Sequence, residues 1–237
     1  MYNDMYMETA TVNKLACIPY AGSSAAMYGP FKRALAGIPV HAIDIAGKGG
    51  RIAERQHQTF EEAAQDCARA LLGIGDYANT SVFGYSMGGL LAYEAAASIY
   101  RDYGMLPRNI FIAACDPPHV GRGGEAYSKY GDAALSEYLL KMGGIDEELL
   151  SYPDFAEFFL PIIRYDFALL ESYRCSAGQR LPAALHILYS SDERNISEWD
   201  RYSAVGCSYS YFDGGHFFIN MSCDNVCGLL KRVMLSG

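Results

Sequence analysis

The stretch SVFGYSMGG, residues 81–89, decides the fold of this chain. It reads as a short apolar strand that turns abruptly into a helix, because a helix-compatible sequence continues over residues 90–100. Such a turn places one residue at a strained, exposed apex, and the flanking glycines leave room where a Cβ would strike a neighbouring element. The apex residue is Ser86, so the pattern predicts a nucleophile elbow. A glycine-rich turn with an incidental serine is the alternative that this motif alone leaves open.

Short apolar runs alternate with helical patterns along the chain, which is typical of a mostly parallel sheet with helices on both faces. Strands are expected at residues 12–18, 40–45, 82–83, 110–114, 185–189 and 209–212. A helix is expected over residues 59–72, with a threonine as its N-cap, and a last helix after Asn220. We therefore predict the α/β class, as a single domain over residues 1–237.

Residues 117–175 break this alternation, because no strand pattern occurs in them. Three helices are expected instead, over residues 132–142, 147–152 and 155–173, separated by a Gly-Gly pair and a proline. A helical insertion between two core strands is placed over the strand ends, which predicts a lid. A helical subdomain that only packs on the core is the alternative.

Composition bounds the partners and the location of the protein. Hydrophobic residues make up 51% and charged residues 19% of the chain, as in ordinary globular proteins. The net charge of -8 argues against nucleic acid, since neutralising phosphates needs a basic surface. The seven cysteines follow no metal-ligand spacing. Residues 1–11 lack the pattern of a signal peptide and no run of about 18 apolar residues occurs, so we expect a cytoplasmic protein without a membrane span.

A basic cluster interrupts this acidic composition. Lys48, Arg51 and Arg55 lie close together in a loop expected at one rim of the site. A solvated loop is the ordinary interpretation of such a run. Docking of an acidic protein partner is the alternative, since a local basic patch can coexist with a negative total charge.

A serine hydroxyl needs a base within hydrogen-bond reach, and His216 is the histidine with the best context. It follows the last expected strand within DGGHFF, residues 213–218, where two glycines allow the backbone to bring the imidazole over the sheet. The other four histidines lie in strand patterns or polar loops. We predict His216 as the general base for Ser86.

The imidazole in turn needs a carboxylate that fixes its tautomer. Asp192 follows the strand at residues 185–189 and gives the chain order serine, aspartate, histidine, so we prefer it. Asp116, after the strand at residues 110–114, is the rival acid. Asp213 is a weaker third candidate, because it is too close in sequence to His216 to reach around the ring.

The tetrahedral oxyanion formed by serine attack needs backbone N–H donors that are already in place. Met87 follows the nucleophile at the positive end of its helix, so its amide is one predicted donor. The second should come from the loop after the first strand, where small residues permit close approach. We assign it to the amide of Ala21, with an ordinary Gly/Ser turn as the alternative.

Four motifs together resemble the type II thioesterases that accompany non-ribosomal peptide and polyketide synthases. They are IPYAGS at residues 18–23, GYSMGG at 84–89, LPIIRYDF at 160–167 and GGHFF at 214–218. The resemblance extends over about residues 14–229. Two loops depart from the family pattern. The loop IAGKGGR at residues 45–51 lacks the usual first proline and has Lys48 in place of the usual histidine or arginine, and the acidic Asp116 stands where a basic or neutral residue is usual.

The resemblance implies an α/β-hydrolase fold and hydrolysis of acyl thioesters on the phosphopantetheine arm of carrier domains, as an editing enzyme of secondary metabolite biosynthesis. It implies a Ser-His-Asp mechanism without a metal or dissociable cofactor, and carrier domains of a synthase as partners. We expect a monomer. A small-molecule esterase or lipase of the same fold and a non-catalytic carrier-binding protein are the alternatives.

Overall fold

A single parallel sheet forms the centre of the computed structural model, which describes residues 13–120, 126–175 and 180–236. The six strands in these ranges are β1 (Lys14–Ile18), β2 (Val40–Ala42), β3 (Thr80–Tyr85), β4 (Ile110–Ala113), β5 (Leu185–Tyr189) and β6 (Cys207–Tyr211). Their order is β2-β1-β3-β4-β5-β6, and every neighbouring pair is parallel. Every residue of β3 is buried, as expected for a strand covered on both faces. The predicted α/β class is confirmed.

Helices cover both faces of this sheet. Those in the described residues are α1 (Gly29–Ala34), α2 (Phe60–Gly73), α3 (Met87–Tyr103), α4 (Asp132–Met142), α5 (Glu147–Ser151), α6 (Pro153–Ser172), α7 (Phe218–Met221) and α8 (Cys223–Leu235). In β1, Leu15 and Cys17 pack into the core formed with α1 and α8, whereas Ala16 and Ile18 pack into the core formed with α2, α3 and α6. The two-residue period of a strand therefore supplies two hydrophobic layers from one segment.

Strand boundaries differ from the sequence expectation where side chains are not apolar. β3 begins at Thr80 because Thr80 and Ser81 are fully buried in the sheet despite their hydroxyls. β6 is an edge strand with mostly exposed residues, so its start at Cys207 has no apolar signal. The first predicted strand includes residue 12, which lies outside the described residues.

Three helices, α4 to α6, lie between β4 and β5, where the sequence predicts helices rather than strands. Helix α4 has the predicted bounds, and α6 starts with Pro153 at a first-turn position that proline favours. The second half of α6 packs against the core through Leu160, Ile163 and Phe167. Among the helices of the described residues, none combines the length and the hydropathy needed to cross a membrane.

Candidate active site

The strand–helix turn at Ser86 has the strained geometry that the sequence predicts. Ser86 adopts φ 52° and ψ -114°, which few residues other than glycine adopt. A Cβ on Gly84 would lie 2.0 Å from the carbonyl oxygen of Gly88, and one on Gly88 would lie 2.1 Å from the carbonyl oxygen of Ile18. Both obstacles are backbone atoms. The two glycines are therefore required for β3, α3 and the end of β1 to approach one another.

The structure brings Ser86 and His216 together across 130 residues of sequence. The Nε2 atom of His216 lies 3.0 Å from the Ser86 hydroxyl oxygen, and Ser86 is 5% exposed. Gly214 and Gly215 precede the histidine with φ of 116° and 66°, so both occupy the left-handed region that favours glycine. This backbone path after β6 returns the imidazole to the carboxyl edge of the sheet.

The carboxylate beside the imidazole belongs to Glu193, and the prediction of Asp192 is corrected. The Nδ1 atom of His216 lies 2.9 Å from Oε1 of Glu193, whose side chain is 3% exposed. Asp192 is exposed, and its Oδ2 instead accepts the backbone N–H of His216 at 2.8 Å. The aspartate side chain is one methylene shorter and ends at the peptide group, while the glutamate reaches the ring.

The rival acids also lie elsewhere. Asp116 accepts the backbone N–H of Arg194 at 2.8 Å and so fixes the loop that carries Glu193. Asp213 is exposed beyond the end of β6. A Cβ on Gly215 would lie 2.9 Å from Oδ2 of Asp192, so the glycine is needed for that aspartate to approach the histidine loop. Of these acidic residues, Glu193 is therefore the one at Nδ1 of His216, and Asp116, Asp192 and Asp213 lie elsewhere.

Hydrogen bonds fix both the charge of Glu193 and the tautomer of His216. The Ser190 amide and hydroxyl both donate to Oε2 at 2.7 Å. Burial alone would raise the pKa of Glu193, but the hydrogen bonds from His216 and Ser190 outweigh it and hold the pKa below its ordinary value. An ionised carboxylate only accepts, so Nδ1 must carry a proton, and in the neutral imidazole Nε2 then presents its lone pair to Ser86. This is the tautomer of a general base.

A sequence signal for Glu193 exists, although the motifs do not include it. Ser190 and Glu193 form an S-x-x-E pattern, in which the glutamate characteristically reaches back to the amide three residues earlier. That reach-back is the contact observed between Glu193 and the Ser190 amide. It orients the carboxylate even though no α-helix follows.

Tyr85 makes contacts to the histidine loop that the motif leaves unspecified. Its hydroxyl donates to the carbonyl oxygen of His216 at 2.6 Å and accepts the amide of Ile219 at 3.3 Å. The ring is fully buried and packs edge-on against Tyr20 at 5.9 Å between centroids. Tyr20 also packs on Phe217 at 5.2 Å. The residue before the nucleophile thus holds the histidine loop.

Two backbone segments meet where the oxyanion donors are predicted. Met87 begins α3, and the first amides of a helix have no acceptor within it. The carbonyls of Ile18 and Pro19 lie against Gly88 in the same first turn. The loop that contains Ala21 therefore starts beside the nucleophile. The assignments of Met87 and Ala21 as donors stay predictions.

The predicted basic rim is only partly a solvated surface. Lys48 is buried and forms an ion pair with Asp166 of α6, with 2.6 Å between Nζ and Oδ2. Arg51 is bound by Glu54 and Asp66. Lys48 is therefore part of the interior and cannot contact a docked partner in this arrangement.

Within the part of the chain that the structure describes, the cysteine, histidine and acidic side chains form no group that could hold a metal ion. All seven cysteines are free thiols. Burial raises the pKa of Cys67 to about 12, so that thiol stays protonated at neutral pH.

A serine hydroxyl held against an imidazole at the carboxyl edge of a parallel sheet is the arrangement of serine hydrolases with the α/β-hydrolase fold, and this protein is of that class. The sequence model described as "Thioesterase domain" matches residues 13–234. The chain therefore belongs to the thioesterase family, as the sequence motifs predict, and the protein is a hydrolytic thioesterase.

Solved structures and a curated relative agree with this assignment. RedJ, a thioesterase from the prodiginine biosynthetic pathway in Streptomyces coelicolor, superposes with a TM-score of 0.86 at 27% identity, over 94% of this chain and 91% of RedJ. ClbQ from the colibactin NRPS/PKS pathway gives a TM-score of 0.87 at 25% identity, over 94% of this chain and 97% of ClbQ. Thioesterase PikA5 of Streptomyces venezuelae is 23% identical over 228 residues, which cover 94% of this chain and 81% of PikA5.

Proposed function

We propose that this protein hydrolyses acyl thioesters carried on the phosphopantetheine arm of carrier domains in non-ribosomal peptide or polyketide synthesis. The observation that carries the proposal is the continuous line from Ser86 through His216 to Glu193, at 3.0 and 2.9 Å, in a chain of the thioesterase family. Its likeness to ClbQ, which comes from the colibactin NRPS/PKS pathway, supports the substrate class.

In the acylation step, the Ser86 oxygen attacks the thioester carbonyl carbon while Nε2 of His216 takes the hydroxyl proton. The tetrahedral oxyanion accepts hydrogen bonds from the amides of Met87 and Ala21. The carbon–sulfur bond then breaks, and the imidazolium returns its proton to the departing thiol. Glu193 balances the charge of the imidazolium, because its carboxylate stays ionised in this site.

In the deacylation step, water takes the place of the carrier thiol. His216 removes a proton from the water, the hydroxide attacks the acyl carbon, and the oxyanion is held by the same two amides. The tetrahedral intermediate then collapses, the imidazolium returns its proton to the departing Ser86 oxygen, and a free carboxylic acid is released. The reaction balances with water as the only co-reactant, so the proposal needs no metal or cofactor. The role of the enzyme in this proposal is editing, that is, the removal of acyl groups that stall a synthase.

The test is hydrolysis of carrier domains loaded with acetyl, longer acyl and aminoacyl groups, with release of the carrier thiol as the readout. Ser86→Ala should lower the rate of hydrolysis at least about 1,000-fold, since the nucleophile is lost. Ser98→Ala is the matched control, because Ser98 lies on the same helix, about three turns away from the elbow, beside Asp102. It should leave the rate unchanged.

Two outcomes would contradict the proposal. Full hydrolysis by the Ser86→Ala protein would exclude the acyl-enzyme mechanism. Faster turnover of small nitrophenyl esters than of every loaded carrier would instead identify a general esterase of the same fold.

A further inference from the structure

A buried ion pair joins three segments next to the active site. Asp166 of α6 accepts hydrogen bonds from Lys48, in the loop after β2, and from the amide of Gly22, in the loop after β1. The distances to its Oδ2 atom are 2.6 Å from Lys48 Nζ and 2.5 Å from the amide. The side chains of Lys48 and Asp166 are 2% and 0% exposed. Removing both charges from water carries a large desolvation penalty, which the pairing must offset.

The Lys48–Asp166 ion pair is not the combination of side chains that would stabilise the fold most. Both donors contact the same oxygen, and Oδ1 of Asp166 is buried without a hydrogen-bond partner among the described residues. Burial raises the pKa of Asp166, while Lys48 and the Gly22 amide oppose that rise. Apolar residues of similar volume in such a place are often neutral or stabilising. The pair therefore calls for an explanation other than stability.

Gly22 supplies that explanation. It adopts φ +80° and lies so close to α6 that a Cβ would be 2.6 Å from Cγ1 of Ile163. Its N–H belongs to the peptide plane that follows Ala21, whose own N–H is the predicted oxyanion donor. The contact fixes the orientation of that plane, and it restricts the adjoining plane that carries the donor, which is linked to it only through the φ and ψ of Ala21.

We propose that Asp166, paired with Lys48, is a positioning residue that holds the oxyanion loop in its productive orientation from helix α6. The inference rests on the proposed function only in that the loop is taken to stabilise an oxyanion on Ser86. It assigns a purpose to Lys48, one of the positions at which this chain departs from the family pattern. It also makes α6 part of the catalytic geometry and more than a cover over the strand ends.

The experiment replaces the pair with apolar residues and then restores a neutral acceptor. Lys48→Met/Asp166→Leu removes the charges and the acceptor, and Lys48→Met/Asp166→Asn keeps an oxygen that can accept the Gly22 N–H. If the leucine does not fit, Lys48→Met/Asp166→Ala replaces it. Tyr165→Phe is the matched control. Tyr165 precedes Asp166 on α6, and its hydroxyl also accepts a backbone N–H, that of His57, at 2.8 Å.

The readouts are thermal unfolding, kcat and KM for a small acyl thioester, and affinity for an alkyl trifluoromethyl ketone. Such a ketone forms a tetrahedral adduct with the serine and reports on the oxyanion site without any carrier protein. We expect the leucine variant to stay folded, with kcat and ketone affinity lowered about 100-fold and KM little changed. The asparagine variant should regain most of both, and Tyr165→Phe should stay within about twofold of wild type.

A folded leucine variant with wild-type kcat and ketone affinity would overturn the inference. An asparagine variant as impaired as the leucine variant would also overturn it, because the Gly22 contact would then be irrelevant. Failure of the proposed function looks different. The wild-type protein would then bind the ketone but leave loaded carriers intact, and the comparison of ketone affinities among the variants would still decide the role of Asp166.

Discussion

Replacement of Glu193 by glutamine tests the corrected assignment of the acid. The structure decides how the amide must orient. Both donors at Oε2 come from Ser190, and the backbone N–H among them can only donate. The glutamine carbonyl oxygen must therefore face Ser190, which turns the NH₂ group toward Nδ1 of His216.

The consequence is a reversed tautomer. An NH₂ group opposite Nδ1 requires that nitrogen to accept, so the ring proton moves to Nε2 and points at Ser86, 3.0 Å away. The imidazole then has no lone pair for the serine proton. Amide substitution with this effect in a serine protease triad lowers kcat about 10,000-fold, which corresponds to about 5 kcal/mol of transition-state stabilisation. We expect a loss of this order for Glu193→Gln.

Asp192→Asn is the matched control, since an asparagine oxygen can still accept the His216 amide that Asp192 now accepts. We expect it to lower kcat less than tenfold. Both variants are assayed by thiol release from a small acyl thioester, after thermal unfolding has confirmed that each is folded. A loss of about 1,000-fold or more in Asp192→Asn, with Glu193→Gln close to wild type, would refute the reasoning from geometry.

Three further predictions concern the scaffold. Gly88→Ala should destabilise the protein by about 3 kcal/mol or more, because its Cβ would lie 2.1 Å from a backbone oxygen. Gly228→Ala should stabilise it by about 0.5–1 kcal/mol, because Gly228 lies within α8 and a Cβ there would point into open space. Urea unfolding of both variants checks this. Tyr85→Phe should cost about 1–3 kcal/mol and lower kcat, since a buried carbonyl of the histidine loop loses its donor; equal stability and rate would contradict that role. The pKa of Glu193 is lowered in the fold, so its stabilising effect is complete above the pKa of an unfolded glutamate and is lost as pH falls through the folded pKa. The stability difference between wild type and Glu193→Gln should therefore shrink on acidification, and one that grows would exclude the pairing.

The sequence predicts the sheet and the elbow well because both depend on local rules. A strand buried on both faces is mostly apolar, and a strand–helix turn of this tightness must have glycines where backbone atoms approach. The contacts of Gly84 and Gly88 are of this kind. His216 is predictable for the same reason, since two glycines in the left-handed region precede it.

The catalytic motifs identify neither the acid nor the ion pair, because both depend on side-chain reach between separate segments. Asp192 and Glu193 are neighbours, and only the path of the loop decides which carboxylate meets the ring and which meets a peptide group. Lys48 and Asp166 are separated by 118 residues, and a lysine in a glycine-rich loop has every sequence property of a solvated residue. Its burial follows from where α6 packs.

Three carboxylates near this edge of the sheet accept hydrogen bonds from backbone amides that have no partner in a neighbouring strand. Asp192 accepts the amide of His216, Asp116 that of Arg194, and Asp166 that of Gly22. Amides in loops beyond the strand ends have no strand partner, and a buried one left unpaired is costly. An acidic residue after a strand is therefore as well explained by loop anchoring as by catalysis. What sets Glu193 apart is that Ser190 already occupies one of its oxygens, so the other is directed at the imidazole.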